Sequence, residues 1–114
     1  MLETCRVLDL TDHRGLVCGQ ILRDLGADVI HVEPPGGSGA RRVGPFAGDV
    51  EHPERSLHWW AYARGQRSIV VDLDDRAGRD ELLRLARGAD FLVESAAPGA
   101  MAARGPGYAD LAAA

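Results

Sequence analysis

The sequence predicts an α/β fold: a Rossmann-like parallel sheet of about four strands with flanking helices. Three observations carry that expectation. Short apolar runs of strand length alternate with longer stretches whose apolar residues recur at helical spacing. Glycines stand where the helical stretches should stop, at Gly26 and Gly88. The run Val29 to Val32 ends on Glu33-Pro34-Pro35-Gly36-Gly37, which reads as a buried strand followed by a loop at its carboxyl edge. Ligands of open α/β sheets bind at that edge, so the loop is the expected functional surface.

Arg6-Val7-Leu8-Asp9-Leu10 gives the first strand, and Thr11 to Gly15 a turn in which Thr11 or Asp12 can cap the next helix. That helix is expected over about Gly15 to Leu25, with Val17, Cys18, Ile21, Leu22 and Leu25 as its buried face and Gly15 and Gly19 permitting close approach to the sheet. Strand, helix and strand within about 30 residues form a βαβ unit, so the two strands should be parallel with a right-handed crossover. Residues 33–56 are rich in Gly, Pro and charge and read as one long loop, a kind of segment that is generally functional or disordered. Leu57 to Ala63 reads as a short helix whose paired tryptophans, Trp59 and Trp60, need burial. Ser68 to Leu73 is the third strand, and Asp74 or Asp75 caps a second long helix from about Arg76 to Arg87. Asp90 to Glu94 is the fourth strand, followed by the Pro98-Gly99 loop and helical turns over Ala100–Arg104 and Tyr108–Ala113.

Composition narrows the function classes. At 114 residues the chain is one domain at most, and its formal net charge of -4 argues against a nucleic-acid surface. No apolar run approaches the roughly 20 residues needed to cross a bilayer, and the N-terminus lacks a signal-peptide layout. A cytoplasmic protein with no membrane partner is the resulting expectation. Cys5 and Cys18 read as small buried residues; their spacing fits no zinc pattern, and no metal site is expected.

The motifs leave the chemistry open. Gly15 and Gly19 do not make a Gly-x-Gly-x-x-Gly signature, and without any lysine there is no Gly-Lys-Ser/Thr phosphate loop. Arginine must therefore meet any anionic ligand, a task its planar fork suits. His13 and Arg14 follow the first strand and read either as ligand contacts or as a solvated turn. Arg41 and Arg42 read as a solvated loop pair before a phosphate clamp, and His31 as a ring at a sheet surface. Asp9, Asp72 and Glu94 lie near strand ends, where turn capping is the commoner use of a carboxylate. No Ser/His/Asp set is legible, and no catalytic residue is assigned.

Four blocks, in order, resemble the family III coenzyme A transferases, also called the CaiB/BaiF family. They are Arg6-Val7-Leu8-Asp9-Leu10-Thr11; Leu25 through Gly37; Arg64-Gly65-Gln66-Arg67-Ser68-Ile69-Val70-Val71-Asp72-Leu73; and Ala89-Asp90-Phe91-Leu92-Val93-Glu94 with Pro98-Gly99. The resemblance implies that residues 1–114 are the N-terminal part of a longer enzyme with a Rossmann-like large domain and an interlocked two-subunit architecture. That enzyme would move coenzyme A between carboxylic acids through a catalytic aspartate lying downstream, so this part alone would lack catalysis. A non-catalytic coenzyme-binding or interaction module, or part of a 2-methylacyl-CoA racemase-like enzyme, are the alternatives. Coenzyme A or an acyl-CoA is implied as substrate, with no permanently bound cofactor, and the rest of the enzyme or a second subunit as partner. The family's coenzyme contacts map onto Asp12, His13 and Arg14, onto Val71, Leu73 and Asp74 flanking the adenine, and onto Glu94, Ser95 and Ala96, with Arg104 beside the position of a further arginine. Where the family commonly has Asn-Phe after the glutamate, this chain has Ser95-Ala96, and a frequent lysine falls on Asp74.

Overall fold

Alternation along the strands fixes two packed faces, and these decide where everything else sits. The computed structural model describes residues 1–114. It runs β1 (Arg6–Leu10), α1 (Leu16–Asp24), β2 (Asp28–Glu33), α2 (Leu57–Ala63), β3 (Arg67–Val70), α3 (Arg76–Ala86), β4 (Phe91–Glu94), α4 (Ala100–Arg104) and α5 (Tyr108–Ala112). All strand pairs are parallel, in the order β3-β2-β1-β4. This is the Rossmann half-sheet: the chain moves outward from β1 through β2 to β3, then returns to place β4 on the far side of β1. The order reverses between β1 and β4, which creates a crevice at their carboxyl ends.

One face carries Leu8 and Val32, which pack with Val71, Leu73 and Leu82 of α3 in the main core, bordered by Met101 and Leu111. The other face carries Val7, Val29 and Ala27 with Leu22 of α1. Towards the carboxyl edge of that second face the strands turn polar: Asp9, His31 and Glu33 are all buried. Leu16, Ala40, Trp59 and Ala63 close over this polar file, so it lies inside the protein.

Helix α1 is rotated from the expected orientation. Leu16 and Gly19 face inward, while Val17, Cys18, Ile21 and Leu25 are exposed. The cause is Asp9. A Cβ on residue 19 would lie 2.1 Å from Asp9 Oδ2, so only glycine can sit over the buried carboxylate, and it sets the helix's angle. The cysteines are accordingly not core residues: Cys18 is exposed and Cys5 half-buried, both free. The expected Thr11 or Asp12 cap is also absent. Gly15 occupies the N-cap without a side-chain bond, because Asp12 Oδ1 accepts from the Arg14 N–H instead, at 2.9 Å.

Strand β3 is shorter than expected. It ends at Val70; Val71 keeps one bond to β2, its N–H donating to the Glu33 carbonyl at 2.9 Å, and Val71 and Leu73 remain buried, their side chains held by the core under α3. Residues 33–56 are organised throughout, with 3₁₀ turns at Gly39–Arg42 and Ala47–Asp49 and a bridge between Phe46 and Ser56. Ser56 caps α2 by accepting from Trp59 N at 3.1 Å and donates to the Val43 carbonyl at 2.6 Å, which ties the long loop to the helix. Of the two tryptophans, Trp59 is buried and Trp60 exposed. No helix is long and apolar enough to cross a membrane.

Candidate functional site

Three of the four strands, β1, β3 and β4, lead into a turn closed by a carboxylate. Asp9 Oδ1 accepts from the Thr11 N–H at 2.9 Å, Asp72 Oδ1 from Asp74 N at 3.0 Å, and Glu94 Oε2 from Ala96 N at 2.6 Å. These carboxylates cap turns, the use expected of them. The turns leave a cleft of about 180 Å³ across the carboxyl ends of all four strands. Leu10, Val32, Val71, Leu73 and Met101 give it an apolar floor; Thr11, Asp12, Glu33, Ser38, Glu94 and Arg104 give it polar walls, with Pro34, Gly39 and Ala96 completing it. An apolar cleft with few convergent polar groups is the usual form of a small-molecule site. Its volume is below the roughly 300 Å³ of typical whole-ligand pockets, so it suits one part of an extended ligand.

Six of the ten residues singled out in the sequence line the cleft: Asp12, Val71, Leu73, Glu94, Ala96 and Arg104. Three more touch them: Ser95 and Arg14 behind, Asp74 at the rim. Asp12 N donates to Ser95 Oγ at 3.0 Å, Arg14 Nη2 reaches Asp12 Oδ2 at 2.7 Å and the Ser95 carbonyl at 3.2 Å, and this lacing ties the ends of β1 and β4 together at the crevice. The Arg14 guanidinium holds the Asp12 carboxyl well below the usual carboxylate range. Asp74 sits at the rim, where Oδ1 accepts from Arg104 Nε and Nη2 at 3.2 and 3.1 Å. His13 is exposed and does not line the cleft.

The loop after Glu33, expected from the sequence as the functional surface, forms one wall of the cleft; what sequence reasoning passed over is the pairing inside it. The Glu33 carboxylate accepts from Arg41 Nε at 2.6 Å and Nη2 at 3.0 Å, from Ser38 N at 2.8 Å and from Ser68 Oγ. Burial alone would raise its pKa, but these bonds to the charged form outweigh it and hold the carboxyl down at about 2. Arg41 lies over the Trp59 ring at 4.3 Å and is therefore not a solvated loop residue. Trp59 in turn meets the His31 ring edge-on at 5.0 Å, and His31 Nδ1 lies 3.5 Å from Asp9 Oδ2. His31 is thus interior, not at a sheet surface. The available signal was alternation: His31 and Glu33 share a face with Val29, and Gly19 marks what that face carries. No group of three or more His, Cys, Asp or Glu side chains converges as a metal site would require.

Every cation at the cleft is already matched to a carboxylate: Arg14 to Asp12, Arg41 to Glu33, Arg104 to Asp74. Only the Arg41–Glu33 pair is buried in the wall, and the Arg14–Asp12 pair lies on the surface behind the cleft with its fork spent on Asp12 and the Ser95 carbonyl. The Arg104–Asp74 pair is also exposed, and Arg104, the one arginine that lines the cleft, can change partner at small cost.

Comparison with known proteins places this arrangement. The sequence matches the profile of CoA-transferase family III over residues 2–114. It is 42% identical over 106 residues to the succinyl-CoA:(R)-benzylsuccinate CoA-transferase subunit BbsE of Thauera aromatica, a match covering 93% of this chain and 26% of that protein. It is 42% identical over 108 residues to the acetyl-CoA:oxalate CoA-transferase of Acetobacter aceti, covering 93% and 26%. A CAIB/BAIF family protein from Brucella suis superposes with a TM-score of 0.86 at 39% identity, covering 97% of this chain and 30% of that one. The chain therefore spans between a quarter and a third of the length of these relatives.

Proposed function

The chain belongs to CoA-transferase family III, and from that premise we propose that its cleft holds the coenzyme A portion of an acyl-CoA substrate. The observation that carries the reading is the cleft's position and lining: it lies at the sheet's carboxyl edge, beside the β1–β4 reversal, with apolar strand ends beneath and Arg104 at the mouth. Apolar strand ends sandwich a flat heterocycle, and an arginine fork meets phosphate in two parallel bonds. Val71 and Leu73 flank the base, Arg104 takes a phosphate once it leaves Asp74, and the Asp12–Ser95–Arg14 lacing shapes the edge beside Ala96. Coenzyme A enters as substrate and leaves with it; nothing in the reading calls for a resident cofactor.

In the full reaction a carboxylate attacks the thioester carbonyl, giving a mixed anhydride and releasing the coenzyme thiolate, with hydrogen-bond donors steadying the oxyanion. None of the cleft's three acids suits that attack. Asp12 and Glu33 are locked in ion pairs and Glu94 closes its own turn. The proposal is therefore a binding half-site: residues 1–114 hold the coenzyme, and the remainder of an enzyme or a second subunit supplies the nucleophile. Exposed apolar side chains on both sheet edges, Val70 on β3 and Phe91 on β4, together with Ile21 on α1, support a missing protein partner. The two free thiols support a reducing cytoplasm.

Calorimetric titration of the chain with coenzyme A tests the reading. Micromolar binding that weakens in Arg104→Ala is the expected result, with no acyl transfer by the chain alone. Absence of heat at millimolar coenzyme from folded protein would overturn the binding site, and measurable transfer would overturn the half-site.

A further inference from the structure

We propose that Glu33 and Arg41 are positioning residues for the ligand, acting through the wall Pro34–Arg42 without touching it by charge. The inference rests on the coenzyme reading above and concerns how its cleft is held open and in shape. Pro34, Ser38 and Gly39 form one side of the cleft, yet this stretch contains two prolines and three glycines and has no ladder to hold it. Its far end is held where Ala40 is buried beside Trp59 and accepts from Ser56 Oγ at 3.4 Å; the end that lines the cleft is held by one carboxylate. Glu33 is 3% exposed, and its two oxygens take four donors from three separate places: Ser38 N and Arg41 in the wall, and Ser68 on β3. Its own carbonyl accepts from Val71 N at 2.9 Å, so the same residue fixes the wall and the strand end carrying the base-flanking Val71.

Arg41 closes the arrangement from the other side. Its fork is bidentate to Glu33, its plane lies over Trp59, and Nη1 reaches the Pro53 carbonyl and Glu54 Oε1, each at 3.4 Å. Gly37, at φ +89°, is what lets the wall fold over the pair: a Cβ there would lie 3.1 Å from Arg41 Cδ. The pairing has a second consequence for an anionic ligand. A bare carboxylate in the wall would repel phosphate; bound to a guanidinium it presents no net charge. Glu33→Gln replaces an acceptor oxygen by an NH2 group among four donors, so the wall loses its anchor and Arg41 is left buried without its anion.

The test reads two quantities on the 114-residue chain and on Glu33→Gln, Arg41→Gln, the double variant and the milder Ser68→Ala. Hydrogen exchange of the amides in residues 34–42 should accelerate at least tenfold in the first three, with β1 and α3 unchanged. Coenzyme A affinity should fall at least tenfold in Glu33→Gln and in Arg41→Gln and no further in their double variant, because one broken clamp cannot be broken twice. Ser68→Ala, which removes one neutral donor and spares the pair, should fall only about two- to fivefold. Unchanged exchange in 34–42 would overturn the clamp whatever the ligand does. Fast exchange with wild-type affinity would overturn the positioning role, as would additive losses in the double variant. A wild-type chain that exchanges as described but binds no coenzyme would overturn the coenzyme reading, and with it the positioning of this ligand, while leaving the clamp standing.

Discussion

Replacing Asp74 by Asn should make the protein bind coenzyme A more tightly. Arg104 is the one cation at the mouth that a ligand can claim, and Asp74 holds it through two bonds to a single oxygen at 3.2 and 3.1 Å. The side chains are 43% and 79% exposed, so the pair has the modest strength of a surface ion pair, about 0.2–1 kcal/mol. A phosphate that takes Arg104 must first break this contact, and the variant removes that cost. Converted at about 1.4 kcal/mol per tenfold, the gain is between about 1.4- and 5-fold in affinity. The assay is calorimetric titration at low salt, near 50 mM, where screening over roughly 14 Å leaves such contacts measurable. Arg104→Ala serves as the background control, since removing Asp74 there frees nothing. Gain of binding is a demanding outcome, because damage to a fold rarely produces it. Equal or weaker binding by Asp74→Asn would refute the competition. An equal gain in the Arg104→Ala background would show that Asp74 acts by general repulsion and not by holding Arg104.

Stability should follow the two faces of the sheet. Leu82→Ala, at the centre of the core that joins α3 to β1 and β2, should cost about 2–5 kcal/mol in denaturant titration; a loss under about 1 kcal/mol would mean that this core is not the one described. Gly19→Ala should destabilise by at least as much as a poor core substitution, on the order of 2 kcal/mol, because its Cβ meets the Asp9 carboxylate at 2.1 Å. A host of wild-type stability at that position would place α1 further from the sheet. Glu33 should contribute to acid lability. Its folded pKa lies at about 2, below its ordinary value of 4.5, so it stabilises the fold above about pH 4.5 and loses that contribution as pH falls towards 2. The shift corresponds to something on the order of 3 kcal/mol. Stability measured from pH 6 down to pH 2 should fall less steeply in Glu33→Gln than in the parent, and parallel curves would show that the pair adds nothing.

The parallel sheet and most element positions were legible because apolar run length and glycine stops are local signals, and the βαβ rule supplies handedness. The site was legible only as an edge. Asp12, Val71, Leu73, Glu94, Ala96 and Arg104 all line the cleft, since residues just beyond parallel strands must gather there. What the sequence concealed were relations between distant residues. Nothing local says that Arg41 reaches back eight positions to Glu33 or that both rest on Trp59; in isolation the arginine reads as solvated. The rotation of α1 was hidden for a related reason. Its apolar periodicity pointed Val17 and Ile21 inward, but a buried acid on the neighbouring strand admitted only Gly19, and one steric exclusion outweighed the whole stripe. The buried file Asp9, His31 and Glu33 thus governs both surprises. It turns α1, carries Trp59 against His31, and anchors the cleft wall through Arg41. A strand that is apolar on one face and polar on the other usually faces water with the second. Here a helix, an indole and a guanidinium stand where the water would be, and that substitution joins the fold's interior to the edge where a ligand binds.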